Sequence, residues 1–328
     1  MLTWQPTATF STLKKRAEIL QQIRHFFAAR NVLEVETPLL SHATVTDPHV
    51  AGIPAVFRRD NLHAEQIVYL QTSPEYAMKR LLAAGSGSIF QISKAFRQGD
   101  IGRLHNPEFT MLEWYRVGFD HHDLMDEMDE LLQMILQTSA AERVSYAALF
   151  EKILGINPHT ASVQQLRECA RDQAIQFVFQ QDEFLSAAIE RDMWLALLLT
   201  HCIEPQIGQE RPIFLYDFPE SQAALAKIRY EEVPPIASRF EVYFKGVELA
   251  NGFHELQNAA EQRKRFENDW LIRQQNKMAV TIDENFLAAL EAGLPECSGV
   301  ALGVDRLIMI ALGAAAINDV MSFGFDYA

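Results

Sequence analysis

Cysteine is scarce in this chain: Cys169, Cys202 and Cys297 are three among 328 residues, widely spaced and in no paired or metal-ligand pattern. Neither a disulfide framework nor a cysteine-based zinc site is indicated, in keeping with a reducing cytoplasm. Long hydrophobic runs are missing too, and Met1 to Phe10 lacks the basic start and apolar stretch of a secretory signal. The expectation is a cytoplasmic protein that neither enters nor crosses a membrane. Positive charge is in short supply, with 29 Lys and Arg against 43 Asp and Glu and a formal net charge of −14. Such a field repels a phosphate backbone, so no stable nucleic-acid binding is expected and any such contact must be local. Internal repeats and low-complexity tracts are absent. What is present in quantity is hydrophobic residues, 48% of the chain. That suffices for one large core or two modest ones, and a globular enzyme is the starting expectation.

From Leu13 to Arg30 the apolar residues Leu13, Ala17, Leu20, Ile23, Phe26 and Phe27 recur at helical spacing, and Asn31 follows as a stop. Val32 to Thr37 alternates like a strand and ends at Pro38, which has no N–H for a ladder. Thr72-Ser73-Pro74-Glu75 announces a helix to Gly85, with a hydroxyl cap, a proline at the first helical position and an early acid. Ser88 to Arg97 and Glu108 to Val117 flank a polar, glycine-containing loop and read as antiparallel strands joined by a long turn. Further helices are expected over Asp123 to Leu136, Glu183 to Thr200 and Asn258 to Gln275, with a strand pair around Lys245-Gly246. Val300 to Ile310 reads as a small-residue strand entering an apolar helix. Strands mixed with helices, without regular βαβ alternation, predict an α+β fold on an antiparallel sheet.

Three segments place charge inside otherwise apolar patterns, where it is costly unless it meets a ligand or another charge. The first is Phe96-Arg97-Gln98-Gly99-Asp100 with His105-Asn106-Pro107-Glu108-Phe109-Thr110-Met111-Leu112-Glu113-Trp114-Tyr115; alone, an exposed hairpin explains it as well. The second is Glu248-Leu249-Ala250-Asn251-Gly252-Phe253-His254-Glu255, two carboxylates seven apart around an Asn-Gly turn. A pair of that kind suits Mg2+, and an ordinary turn with flanking acids suits it equally. The third is Gly299-Val300-Ala301-Leu302-Gly303-Val304-Asp305-Arg306, glycines before a helix with an arginine in its first turn, for which close packing is an equal explanation. Taken singly, Glu75 is a helix N-terminal acid favoured by the dipole, Tyr115 a core aromatic, and His105 and His254 are structural histidines.

The joint occurrence and order of these segments resemble the three signature motifs of class II aminoacyl-tRNA synthetases, most of all the lysyl branch. Leu13 to Leu40 resembles motif 1, Phe96 to Tyr115 motif 2, and Gly299 to Arg306 motif 3. The chain is similar throughout its length to the elongation factor P (R)-β-lysine ligase family. The resemblance implies an antiparallel sheet flanked by helices, in a single catalytic domain over residues 1–328 with a helical insertion at about 120–235. No anticodon-binding domain is expected, since motif 1 begins within the first fifteen residues. It further implies a homodimer formed through motif 1. The implied activity is formation of (R)-β-lysyl-adenylate from ATP and transfer of the acyl group to a lysine of elongation factor P. A stand-alone synthetase charging tRNA and an inactive regulatory paralogue are the alternatives.

By the same resemblance, Arg97 binds the α-phosphate of ATP and Arg306 the γ-phosphate, and both are expected to be catalytic. Gln98, Gly99, Asn106, Leu249 and Gly303 join them around the nucleotide, and Glu248 and Glu255 hold Mg2+. Ser73, Pro74 and Glu75 face the amino group of lysine or (R)-β-lysine nearer the carboxylate, while Tyr115 and Glu255 face the distal ammonium. Two positions depart from the pattern. Gly99 stands where motif 2 usually has glutamate, and Ala301 stands where lysyl synthetases have glycine on the pocket floor.

Overall fold

The computed structural model describes residues 4–58, 65–175, 187–275 and 280–328. The chain divides into two compact units, Met1–Phe119 with Gln257–Ala328, and Asp120–Leu256. In chain order the first unit begins with α1 (Phe10–Ala28), β1 (Leu33–Glu34), β2 (Leu40–Ser41), β3 (Ile53–Arg58), β4 (Glu65–Leu70), α2 (Glu75–Ala83), β5 (Ile89–Phe96) and β6 (Glu108–Val117). The second holds α3 (His121–Leu136), β7 (Glu142–Ser145), α4 (Tyr146–Leu154), α5 (Val163–Asp172), α6 (Ala187–Leu198), β8 (Ile213–Pro219), β9 (Ile228–Arg229), β10 (Ile236–Phe244) and β11 (Val247–His254). The first is completed by α7 (Ala259–Gln275), α8 (Glu284–Gly293), β12 (Cys297–Gly303) and α9 (Val304–Ala311). The expected insertion at about 120–235 falls in the second unit, which extends to Leu256. Of the expected helix Glu183 to Thr200, residues 183–186 lie outside the described residues.

In the first unit the strands run in the order β1, β5, β6, β12, antiparallel except for the parallel edge pair β1–β5. Motif 1 therefore contributes a helix and only a two-residue strand, shorter than the alternation predicts. Thr9 caps α1 through its hydroxyl, and Ile23, Phe26 and Phe27 are the buried stripe. Phe27 stacks on Phe90 with ring centroids 4.5 Å apart and meets Trp114 at 5.3 Å. Strand alternation settles the rest: with Trp114 turned toward α1, Glu113 and Tyr115 face the other side of β6. Register places Ala301 of β12 and Gln91 of β5 beside Glu113, and Gly299 beside Tyr115. The residues of β12 that flank these two polar side chains are thus both small.

The second unit orders its strands β11, β10, β8, β7, with β9 paired to β10. Its core gathers Tyr146, Phe150, Leu195, Leu198 and Phe218. The expected strand pair around Lys245-Gly246 is β10 and β11, and both turn residues have positive φ, 52° and 70°. That is the two-residue hairpin turn whose twist matches its strands. Asn251-Gly252 is not a turn, contrary to the sequence expectation; both residues lie inside β11. The glycine there serves packing: Gly252 pairs with Phe240, and a Cβ on it would lie 2.3 Å from the Phe240 ring.

Candidate active site

A connected set of polar side chains lies in the first unit on the sheet face away from α1. Ser73 Oγ donates to Glu113 Oε1 at 2.5 Å and accepts from the backbone N–H of Glu75 at 3.0 Å. Pro74 occupies the N-cap of α2 rather than its first helical position, so the Ser73 hydroxyl reaches Glu75 directly. Tyr115 OH donates to Glu113 Oε2 at 3.2 Å, and Lys79 Nζ, one turn along α2, donates to Glu75 Oε1 at 2.6 Å. Lys79 and Glu113 are each 1% exposed. Burial, and secondly the Glu75 charge, push the Glu113 carboxyl up to about 8, against the opposing pull of Ser73, Tyr115 and Lys79. Glu113 and Lys79 are functional candidates that sequence reasoning missed. The available signal was a carboxylate between Met111-Leu112 and Trp114-Tyr115, large and mainly apolar residues on both sides of it in one strand.

The end of β5 and the loop after it carry the groups expected to bind phosphate. Arg97 donates its backbone N–H to Pro107 O and lies over the Phe109 ring at 5.1 Å. Its buried Nε meets no acceptor among the described residues. A desolvated guanidinium donor without a partner fits an anionic oxygen. Gln98 is fixed through its backbone N–H to Ala51 O at 2.8 Å. Gly99 has φ +85°, with open space where a side chain would be. Its departure from the motif therefore goes with a left-handed turn that a glutamate would strain. Asn106 bonds Glu108 O through Nδ2 at 2.6 Å and the Phe325 N–H through Oδ1 at 2.9 Å, so much of its capacity is spent on the loop.

Arg306, in the first turn of α9, donates to Leu104 O at 3.2 Å and lies 2.7 Å from His105 Nε2. Burial and the Arg306 charge lower the His105 pKa, and because a guanidinium can only donate, Nε2 is the acceptor in this contact. His105, left without a functional role by the sequence, thus ties motif 2 to the motif 3 arginine. Gly303, at the N-cap of α9, has φ −73°, so its conformation makes no demand for glycine.

In the second unit β10 pairs Val242 with Ala250 but Tyr243 with Glu248, a bulge that takes Leu249 out of register. Without it Glu248 would share a face with Ala250; with it, Glu248 joins Asn251 and Phe253. Opposite them stand Tyr243, Glu241 and Arg239, where Tyr243 OH donates to Glu241 at 2.5 Å and Arg239 Nε to Asn251 Oδ1 at 3.2 Å. Glu255 follows the strand, 1% exposed, in an isolated bridge with Ala226. The two expected Mg2+ ligands stand along one stretch of chain, Glu248 within β11 and Glu255 just after its end. The diagonal neighbour of Glu248 on its own face is Glu241, a spacing of about 7–8 Å between Cα atoms. Among the described residues no group of three or more His, Cys, Asp or Glu is arranged for a metal.

A helix and short strand from motif 1, a motif 2 hairpin bearing Arg97 and a motif 3 strand–helix bearing Arg306 define a class II synthetase-type catalytic core. The family described as tRNA synthetases class II (D, K and N) matches residues 1–326. The elongation factor P–(R)-β-lysine ligase of Vibrio cholerae serotype O1 is 55% identical over 328 residues, 99% of this chain and 98% of its own. The proteins of the same name from Vibrio atlanticus and Salmonella paratyphi B are 53% and 51% identical, with at least 98% of each chain covered. Within class II, the chain belongs to the elongation factor P–(R)-β-lysine ligase family.

Proposed function

We propose that this chain is an ATP-dependent ligase that forms (R)-β-lysyl-adenylate and transfers the β-lysyl group to a lysine of elongation factor P. The observation that carries the amino-acid side of this reading is the buried Glu113 carboxyl, held by Ser73 and Tyr115 beside the half-buried Glu75, a site where a substrate cation would repay its desolvation. Attack of the substrate carboxylate on the α-phosphorus develops charge on phosphoryl oxygens, and fixed cations answer it better than an acid or base. Arg97 is assigned to the α-phosphate, where its planar fork gives two parallel bonds, and Arg306 to the γ-phosphate. Gln98, Asn106, Leu249 and Gly303 are assigned to the nucleotide, and Glu255 to a substrate ammonium. Mg2+ would neutralise phosphate charge when bound; Glu248 and Glu255 are assigned to it as hard oxygen donors, and two carboxylates suffice for an ion that keeps water and phosphate in its shell.

A homodimer through motif 1 belongs to the same proposal. Leu33, Leu39 and Leu40 are 56%, 37% and 49% exposed along that segment, apolar surface suited to a second copy. Among the described residues no helix is long and apolar enough to cross a membrane, and a cytoplasmic location is proposed. The net charge of −14 favours a protein acceptor over tRNA.

Amino-acid-dependent pyrophosphate exchange tests the adenylation step and also its pH dependence. An ammonium binds the ionised form of Glu113, whose pKa is raised to about 8, so binding at neutral pH expels a proton. The KM for (R)-β-lysine is expected to fall as pH rises through about 8, with (R)-β-lysine preferred to α-lysine. A KM that is flat or rises across that window contradicts the role of Glu113.

A further inference from the structure

Lys79 is a buried cation that the proposed chemistry does not use. Its side chain is 1% exposed, it lies one helical turn from Glu75 with its ammonium 2.6 Å from Oε1, and its Nζ is 5.8 Å from the Phe286 ring centroid. A lysine in an amphipathic helix ordinarily carries its charge out to water. Here it is turned inward, at the far end of the chain of bonds that runs from Glu75 through Ser73 to Glu113 and Tyr115.

We propose that Lys79 is a specificity-determining residue: its ammonium holds Glu75 in place and leaves the Glu75–Glu113 pair, once Glu113 is ionised, with a single uncompensated negative charge, so that the subsite takes one ammonium of the substrate. This inference rests on the assignment of Glu75 to the amino group nearer the substrate carboxylate. Two carboxylates side by side repel one another and favour the protonation of one of them. A built-in cation relieves that repulsion, and it does so at a fixed point, the outer edge of Glu75. The groups facing Glu113 are Glu75, Lys79, Ser73 and Tyr115, and Lys79 is the cation among those that act on its charge. Without Lys79, Glu75 loses its anchor and Glu113 is harder to ionise. Both changes weaken the hold on the near amino group and leave the rest of the substrate untouched.

The test compares kcat/KM in pyrophosphate exchange for (R)-β-lysine and for 6-aminohexanoate, which lacks only the near amino group. Lys79→Met keeps the apolar stem and removes the charge; because it breaks an ion pair it is expected to cost stability, so the kinetics are compared at a temperature where the variant's unfolding curve shows it folded. It is expected to cut the preference for (R)-β-lysine at least tenfold, to leave the KM for ATP within twofold, and to move the pH profile of the amino-acid KM upward. Lys79→Arg, which keeps the cation, is expected to retain most of the preference. Glu75→Gln should lose the preference as Lys79→Met does, and the double variant should be no worse than either, because the pair acts as one unit. An unchanged preference in Lys79→Met, or equal weakening of both amino acids and ATP, would overturn the inference. Wild-type protein inactive with every lysine-like acid would remove the functional reading itself, a separate outcome.

Discussion

Replacing Arg97 with alanine is expected to lower kcat/KM for adenylation by about 100- to 1000-fold, the usual effect of deleting one preorganised donor aimed at developing charge. The side chain stands ready for that role: its guanidinium is supported by Phe109, its Nε is buried without a partner among the described residues, and its backbone is tied to Pro107. None of these contacts bears much of the core, so the melting temperature should move by only a few degrees. Arg97→Lys is expected to recover part of the loss, since a point charge replaces one bond of the fork but not both. Pyrophosphate exchange and thermal unfolding on the same preparations check both statements. Near-normal exchange in Arg97→Ala would show that the α-phosphate is held elsewhere.

The largest stability effect is expected from Arg16→Met. Asp305 is 1% exposed, and its carboxylate is held by Arg16 Nη1 at 2.6 Å and by the Thr110 N–H at 2.6 Å. Arg16 also donates to Thr110 Oγ1 and Val320 O, so one guanidinium joins α1, β6 and α9. Removing it strands a buried negative charge, for which a loss of about 3–5 kcal/mol is usual. Replacing both partners with apolar residues, Arg16→Met with Asp305→Leu, should return part of that loss, because nothing charged remains in the interior. Denaturant unfolding of the two singles and the double gives the coupling energy. Additive effects would show that the pair is not energetically joined. Because Arg306 is the next residue after Asp305, Arg16→Met is also expected to lower activity more than a comparable change at the surface.

How much of this was legible in the sequence varies by segment. The motif 2 hairpin was plain because strand alternation and a glycine loop are local signals, and Arg97 follows from its place at the end of β5. The helices α1 and α7 were likewise carried by their own periodicity or composition. Long-range pairing was not legible. Lys79 looks like any helical lysine until α2 is seen to bury it, and Glu113 gains its meaning only from Ser73, forty residues away, and from Ala301 in the next strand. The bulge at Leu249, which turns Glu248 toward Glu241 on the neighbouring strand, was hidden for the same reason. Asn251-Gly252 misled because its dipeptide is a turn signal, and only the Phe240 ring across the sheet explains the glycine.

The acceptor is the point on which a β-lysine ligase and a tRNA synthetase part, since adenylation is common to both. A protein acceptor needs only to bring one amine to the adenylate carbonyl, where positioning supplies much of the rate. A tRNA needs many phosphate contacts, against a net charge of −14. The decisive measurement is therefore incubation of the enzyme with ATP and radiolabelled (R)-β-lysine, with elongation factor P in one reaction and total tRNA in another. Label is expected on a lysine of elongation factor P, with none above background in tRNA; label in tRNA and none in the protein would contradict the assignment.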